Sequence, residues 1–192
     1  FPTYGAANHI AIWGAGKPPT AFPLPKTGFK GIRFFDGRGA TRAEVFEVLK
    51  LIAEHQAVLA TGHISPKESM ALIREARALG IERVLVTHAS EPVTSFPAAL
   101  QKEAIGLGAW IEHAFFAVTP SCPTPVPLET IGEMIRATGV SRVILSSDFG
   151  QVENGNPVAA FGNYLEMMTT VGFTRAELRQ MVVENPKHLL EG

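Results

Sequence analysis

Between Gln56 and Ser90 the chain reads QAVLATGHISPKESMALIREARALGIERVLVTHAS: an apolar run ending in a histidine, a helical stretch, and a second apolar run ending in another histidine. No other stretch limits the fold as tightly. Ala57 to Ala60 is apolar, and Thr61-Gly62-His63 turns it abruptly polar. Ser65 and Glu68 have the spacing of a capping box, with Pro66 at the first helical position. A helix from Pro66 to Leu79 follows, with Met70, Ala71, Ile73, Ala76 and Leu79 on its apolar face and Gly80 as its stop. Val84-Leu85-Val86 is the second buried run, and it ends at Thr87-His88. A strand-helix-strand unit of this length has parallel strands. His63 and His88 therefore stand at strand carboxyl ends, on the rim where parallel α/β proteins bind ligands.

The unit repeats. Apolar strands start near residues 57, 83, 109 and 142, at separations of 26, 26 and 33 residues. The loop after His88 carries Glu91-Pro92, and a helix from Pro97 to Leu107 leads to a third strand, Ala109 to Ala117, with Glu112-His113 in its middle. A proline-rich loop and a helix from Leu128 to Thr138 precede the fourth strand, Val143-Ile144-Leu145, which ends in Ser146-Ser147-Asp148. A helix over Val158 to Val171 comes next, then one capped by Thr174 and Glu177 that Asn185-Pro186 should break. Upstream, Phe1 to Thr27 reads as a long Gly/Pro/Ala connection with room for one short helix, and Phe29 to Phe35 as a strand that Asp36-Gly37 turns into a hairpin. Thr41 and Glu44 should open a helix to His55 that buries Val45, Val48, Leu49 and Ile52.

Repeated spacing of this kind marks a β/α barrel or an open parallel sheet. Four units are half of an eight-unit barrel, and Phe1-Pro2-Thr3 looks like the end of a strand and its loop. The expected fold class is α/β, the C-terminal part of a TIM-type (β/α)8 barrel with parallel strands. It should form a single domain over residues 1–192, with a loop-rich 1–40 segment and the remaining strands upstream. An open doubly wound sheet is the alternative, but no Gly-rich phosphate fingerprint follows any strand, which disfavours nucleotide binding.

A net charge of -1 with 18% charged residues supplies no electrostatic reason for a nucleic-acid or membrane partner. A small-molecule substrate suits the chain better. One cysteine, Cys122, excludes an internal disulfide framework and fits a reducing, cytoplasmic setting. No apolar run approaches the length of a membrane span.

Chemistry converges on the strand ends. Two imidazoles and a carboxylate, His63, His88 and Asp148, can bind a divalent metal and leave positions open for water. The metal would acidify that water, with Asp148 as the catalytic base. Glu112 and His113 are neighbours on a strand, so at most one faces the interior. His9 follows Asn8 in a loop at the same rim and is a candidate substrate contact. His55 suits a helix end, Arg33 and Lys30 suit a solvated hairpin, His188 has no role, and Cys122 lacks any activating neighbour.

TGHIS, THAS one repeat later, SSD at the last strand and NPKHLL near the end together resemble the amidohydrolase superfamily of metal-dependent hydrolases. The finer likeness is to an uncharacterised amidohydrolase-like group. The resemblance covers roughly residues 56 to 190. It implies that His63 is the fifth-strand metal ligand, His88 the sixth-strand ligand and Asp148 the eighth-strand ligand, with zinc first among the metals and manganese or iron as alternatives. The histidine pair that such proteins carry on their first strand is absent from these 192 residues, and so is an obvious bridging Lys or Glu. The activity implied is hydrolysis of a C–N or C–O bond in a small molecule by metal-activated water. A metal-dependent decarboxylase of the same barrel group is one alternative. The other is a non-catalytic half-barrel whose open edges pair with a partner or form a homo-oligomer.

Overall fold

The computed structural model describes residues 1–14, 29–151 and 154–191. The second half of the loop expected over the first 27 residues therefore lies outside the described residues, as does part of the loop before α6. Helix α1 (Ala7–Trp13) is the short helix for which that connection had room, and α2 (Ala43–Glu54) follows. Strand–helix units then run β1 (Leu59–Ala60), α3 (Pro66–Ala78), β2 (Val84–Val86), α4 (Ala98–Gly106), β3 (Trp110–Ala114), α5 (Leu128–Thr138), β4 (Val143–Ser146) and α6 (Pro157–Thr170). The chain closes with α7 (Arg175–Arg179), a π turn over Gln180–Glu184 and α8 (Asn185–Glu191).

All strand pairs are parallel, in the order β1-β2-β3-β4. Sequential order without reversal is barrel topology; a doubly wound sheet changes direction at a switch point. Alternation along each strand sorts side chains between two faces. Leu59, Val84, Val86, Ile111, Val143 and Leu145 pack toward the helices in the main core with Leu72, Ile73, Ile131, Ile135 and Met168. Leu85, Trp110 and Ile144 form a smaller apolar cluster on the other face with Val58 and Leu189. Glu112, two residues after Trp110, shares that second face, and His113 shares the helix-side face of Ile111.

The α3 start is built as expected: Ser65 accepts from the Glu68 N–H and Glu68 returns a bond to the Ser65 N–H. Other expectations need correction. The hairpin reduces to one antiparallel bridge, Phe35 to Thr41, because Gly31 at φ +84° and a parallel bridge from Ile32 to Ala6 divert the first arm. Helix α2 begins after Arg42 with no side-chain cap, since Glu44 pairs with Arg42 at 2.7 Å instead. Val48 and Leu79 are exposed, and Leu72 is the fully buried α3 residue the spacing argument passed over. The third strand stops at Ala114 and continues as a 3-10 turn. Asn185-Pro186 does not break the last helix; a π turn absorbs it, and Asn185 points inward to donate to the carbonyls of Val140 (2.8 Å) and Val143 (2.6 Å).

Candidate metal centre

His63 is aimed by a turn that only glycine can make. Gly62 sits at φ +65°, and a Cβ there would lie 2.5 Å from the Pro2 oxygen and 2.6 Å from the Phe1 oxygen. Phe1-Pro2 runs along the edge of β1 away from β2, where the Phe1 nitrogen donates to the Ala60 carbonyl (2.7 Å) and the His63 N–H to the Pro2 carbonyl (2.9 Å). The ends of β1 and β2 are tied by Thr87, whose N–H donates to Thr61 Oγ1 (3.1 Å) and whose hydroxyl donates to the Gly62 carbonyl (3.2 Å).

Helix α1 lies across this end. Asn8 anchors it, donating to the carbonyls of His63 (3.0 Å) and Val93 (2.6 Å). One residue on, buried His9 meets His63 edge to edge in nearly the same plane, with Nδ1 2.7 Å from the His63 Nδ1. Trp13 stands edge-on to both rings, and Tyr4 stands edge-on to His9 and tilted to His63.

His88 continues β2 in the left-handed region at φ 56°, and Asp148 ends β4 in the same way at φ 52°. Such conformations cost a residue with a Cβ of order 1 kcal/mol or more and collect at functional sites. The surroundings hold His88 in place: its N–H donates to Glu112 Oε2 (3.3 Å), and its carbonyl accepts from the Glu91 N–H and the Thr94 hydroxyl. Its Nδ1 faces Glu91 Oε1 at 3.4 Å, Glu112 Oε2 at 3.9 Å and Asp148 Oδ2 at 3.9 Å. Nδ1 and Glu91 Oε1 are both buried without a well-formed hydrogen bond, so proximity of charge is what links them. His63 and His88 meet edge to face with ring centroids 4.8 Å apart. One ligand atom each from His63, His88 and Glu91 fall within 4.8 Å of one another.

These neighbours split the imidazoles. Burial pushes His63 down to about 3, helped by the nearby His88 and His9. Burial would lower His88 too, but Glu91 beside it, then Glu112 and Asp148, outweigh that and raise it to about 9. Burial lifts Asp148 to about 6, with His88 opposing and Glu91 and Glu112 assisting. The values describe the protein groups alone; a cation among them would favour every carboxylate in its charged form.

His63, His88 and Asp148, singled out by their strand-end positions, therefore come to one rim. Of the Glu112-His113 pair, Glu112 faces this cluster. His113 is fully buried on the helix side with neither ring nitrogen bonded. Glu91 was passed over as a site residue, although its place three residues after His88, beside Pro92, was the available signal. His9 was read as a loop residue, yet it belongs to a helix and touches His63 itself. Cys122 is buried, with Sγ 3.5 Å from the Thr124 carbonyl, and burial raises its thiol. Arg33, His55 and His188 are exposed.

Solved structures share this fold. The chain aligns with the organophosphorus hydrolase from Deinococcus radiodurans at TM-score 0.61 and 16% identity, over 86% of this chain and 57% of that one. It aligns with a 2-pyrone-4,6-dicarboxylic acid hydrolase from Pseudomonas putida at TM-score 0.54 and 15% identity, over 78% and 57%. A resiniferatoxin-binding protein from Rhodobacter sphaeroides aligns at TM-score 0.60 and 16% identity, over 96% and 57%. The barrel fold expected from the strand–helix repeat is thus shared with these solved structures, and the chain spans a little over half the length of each. No curated protein matches the sequence. A family model does, over residues 1–112, a stretch that holds His9, His63, His88, Glu91 and Glu112 and stops before Asp148. Most of the cluster thus lies in the matched region, and the chain belongs to the family of unknown function DUF6282.

Proposed function

We propose that this protein is a metal-dependent hydrolase that cleaves a C–N or C–O bond of a small molecule with water. The observation that carries the reading is the convergence of His63, His88 and Glu91 within 4.8 Å, with His88 Nδ1 and Glu91 Oε1 facing each other at 3.4 Å, both buried and neither in a well-formed hydrogen bond among the described residues. Buried polar atoms without partners are expensive unless something satisfies them. Imidazole and carboxylate together suit zinc, and also manganese or iron. A divalent ion there would supply Lewis acidity toward the scissile carbonyl and lower the pKa of water.

His63, neutral because it is buried, offers a lone pair without first losing a proton. His88 must give up the proton that its acidic neighbours favour, so cation binding and proton release are coupled. Asp148 stands 3.9 Å from His88, and a cation among these groups would keep its carboxylate charged and able to accept a proton. It would take the proton from water and pass it to the leaving group. Buried Glu91 and half-buried Glu112 keep the region anionic around His88. One neighbour is named as a 2-pyrone-4,6-dicarboxylic acid hydrolase, so ring esters are the first substrates to try.

Elemental analysis of the purified chain tests the reading. Stoichiometric zinc, manganese or iron is expected, lowered in each of His63→Ala, His88→Ala and Asp148→Ala while circular dichroism stays native. Unchanged metal content in all three variants would sink the site assignment.

A further inference from the structure

The His9–His63 contact is too short to be mere packing. Two imidazole nitrogens 2.7 Å apart share one proton between them, so one donates and the other accepts. The direction of that bond decides what His63 can do. If His9 donates, the His63 Nδ1 lone pair is occupied and its Nε2 carries the hydrogen, so neither nitrogen can bind a cation. If His63 donates, its Nε2 lone pair is free.

We propose that His9 is the positioning residue of the metal centre: it accepts the Nδ1 proton of His63 and so holds His63 in the tautomer whose Nε2 can ligate a metal. The inference rests on His63 being a ligand. Metal-binding histidines usually donate their second nitrogen to a carboxylate or carbonyl, which sets ring and tautomer together. In this chain another imidazole has that place. The direction of the bond follows from the ligand role of His63, and His9 is held firmly enough to impose it. Asn8 pins the first turn of α1 to the carbonyl of His63 itself and to that of Val93. The Ala7 N–H donates to the Ile32 carbonyl (2.9 Å), and the Ile32 N–H to the Gly5 carbonyl (2.7 Å). Gly31 makes that approach possible, since a Cβ there would lie 2.5 Å from the Ala7 Cα. His9 is 5% exposed, edge to edge with His63 with a 16° angle between the rings, and flanked by Trp13. Helix α1 is thus fastened to the strand end that it serves.

The test uses nitrogen-15 NMR on histidine-labelled protein without added metal, followed by zinc titration calorimetry. In wild type, His63 should show a protonated Nδ1 and an unprotonated Nε2, with Nε2 shifting on zinc addition and the His9 nitrogens showing no direct coordination. His9→Phe keeps an aromatic ring of similar shape and removes the acceptor; it should weaken zinc binding about 10- to 100-fold. His9→Asn returns an oxygen near the Nδ1 position and should recover most of that loss. An Nε2-protonated His63, direct zinc coordination by His9, or His9→Phe binding zinc as tightly as wild type would each overturn the proposal. Wild-type protein that binds no zinc, manganese or iron would instead overturn the metal-centre reading, and this inference with it.

Discussion

His113 shows how one residue can be placed correctly by a pattern and still behave unexpectedly. Strand alternation put either Glu112 or His113 inside, and the structure turns Glu112 toward the site. His113 goes into the helix-side core, fully buried and with both ring nitrogens unbonded. Burial holds its pKa at about 4, against 6.5 for an ordinary imidazole. Between those values the unfolded chain binds the proton and the folded protein does not, so stability falls as pH drops from 6.5 toward 4 and is full above 6.5. The whole effect is about 3 kcal/mol at most. His113→Leu should flatten that part of the stability curve and lose nothing at neutral pH, as read by urea unfolding across the range. If the variant loses stability on acidification as steeply as wild type, another group carries the effect. At the same scale, His63 and His88 were legible because each ends an apolar run one repeat apart. Glu91 was not, because proximity within a turn depends on the left-handed φ at His88, which nothing in the side-chain pattern announces.

Elements were legible where local chemistry is self-contained. The α3 capping box, with Pro66 inside it, needs only four consecutive residues and folds as written. Helix α2 lost its expected cap because Arg42 lies close enough to take Glu44. The end of the chain differs most. Asn185-Pro186 reads as a helix breaker, yet the chain widens into a π turn there and continues. The missing knowledge was that Asn185 would find the Val140 and Val143 carbonyls, which have tertiary and not local origin. We expect Asn185→Leu to cost about 1 to 3 kcal/mol by removing the side-chain donor from the buried Val143 carbonyl, while the Val140 carbonyl keeps the Val143 N–H. Chemical denaturation would measure it, and a change below a few tenths of a kcal/mol would mean that water replaces the side chain. The motif NPKHLL is therefore accounted for as a fastening of α8 to the base of β4, remote from the histidine cluster.

At the scale of the whole molecule, ligand linkage would make a metal bound at the proposed site a source of stability. A cation that binds only the folded state stabilises it by about 2.7 kcal/mol at one hundred times its dissociation constant. The melting temperature should therefore rise with added zinc and fall back with a chelator, and His88→Ala should abolish the rise. Equal shifts in wild type and His88→Ala would place the bound metal elsewhere. The repeat of strand and helix and the histidines at the ends of β1 and β2 were set by the sequence alone, because hydrophobic periodicity and capping act over a few residues. Parallel strand order followed from that repeat. Only the tertiary structure decided that α1 would deliver His9 to His63, that Glu91 would join the cluster, and which of Glu112 and His113 would face it. Those choices depend on side chains brought together from distant parts of the chain and on two left-handed residues, His88 and Asp148, of which His88 donates its N–H to Glu112 from another strand.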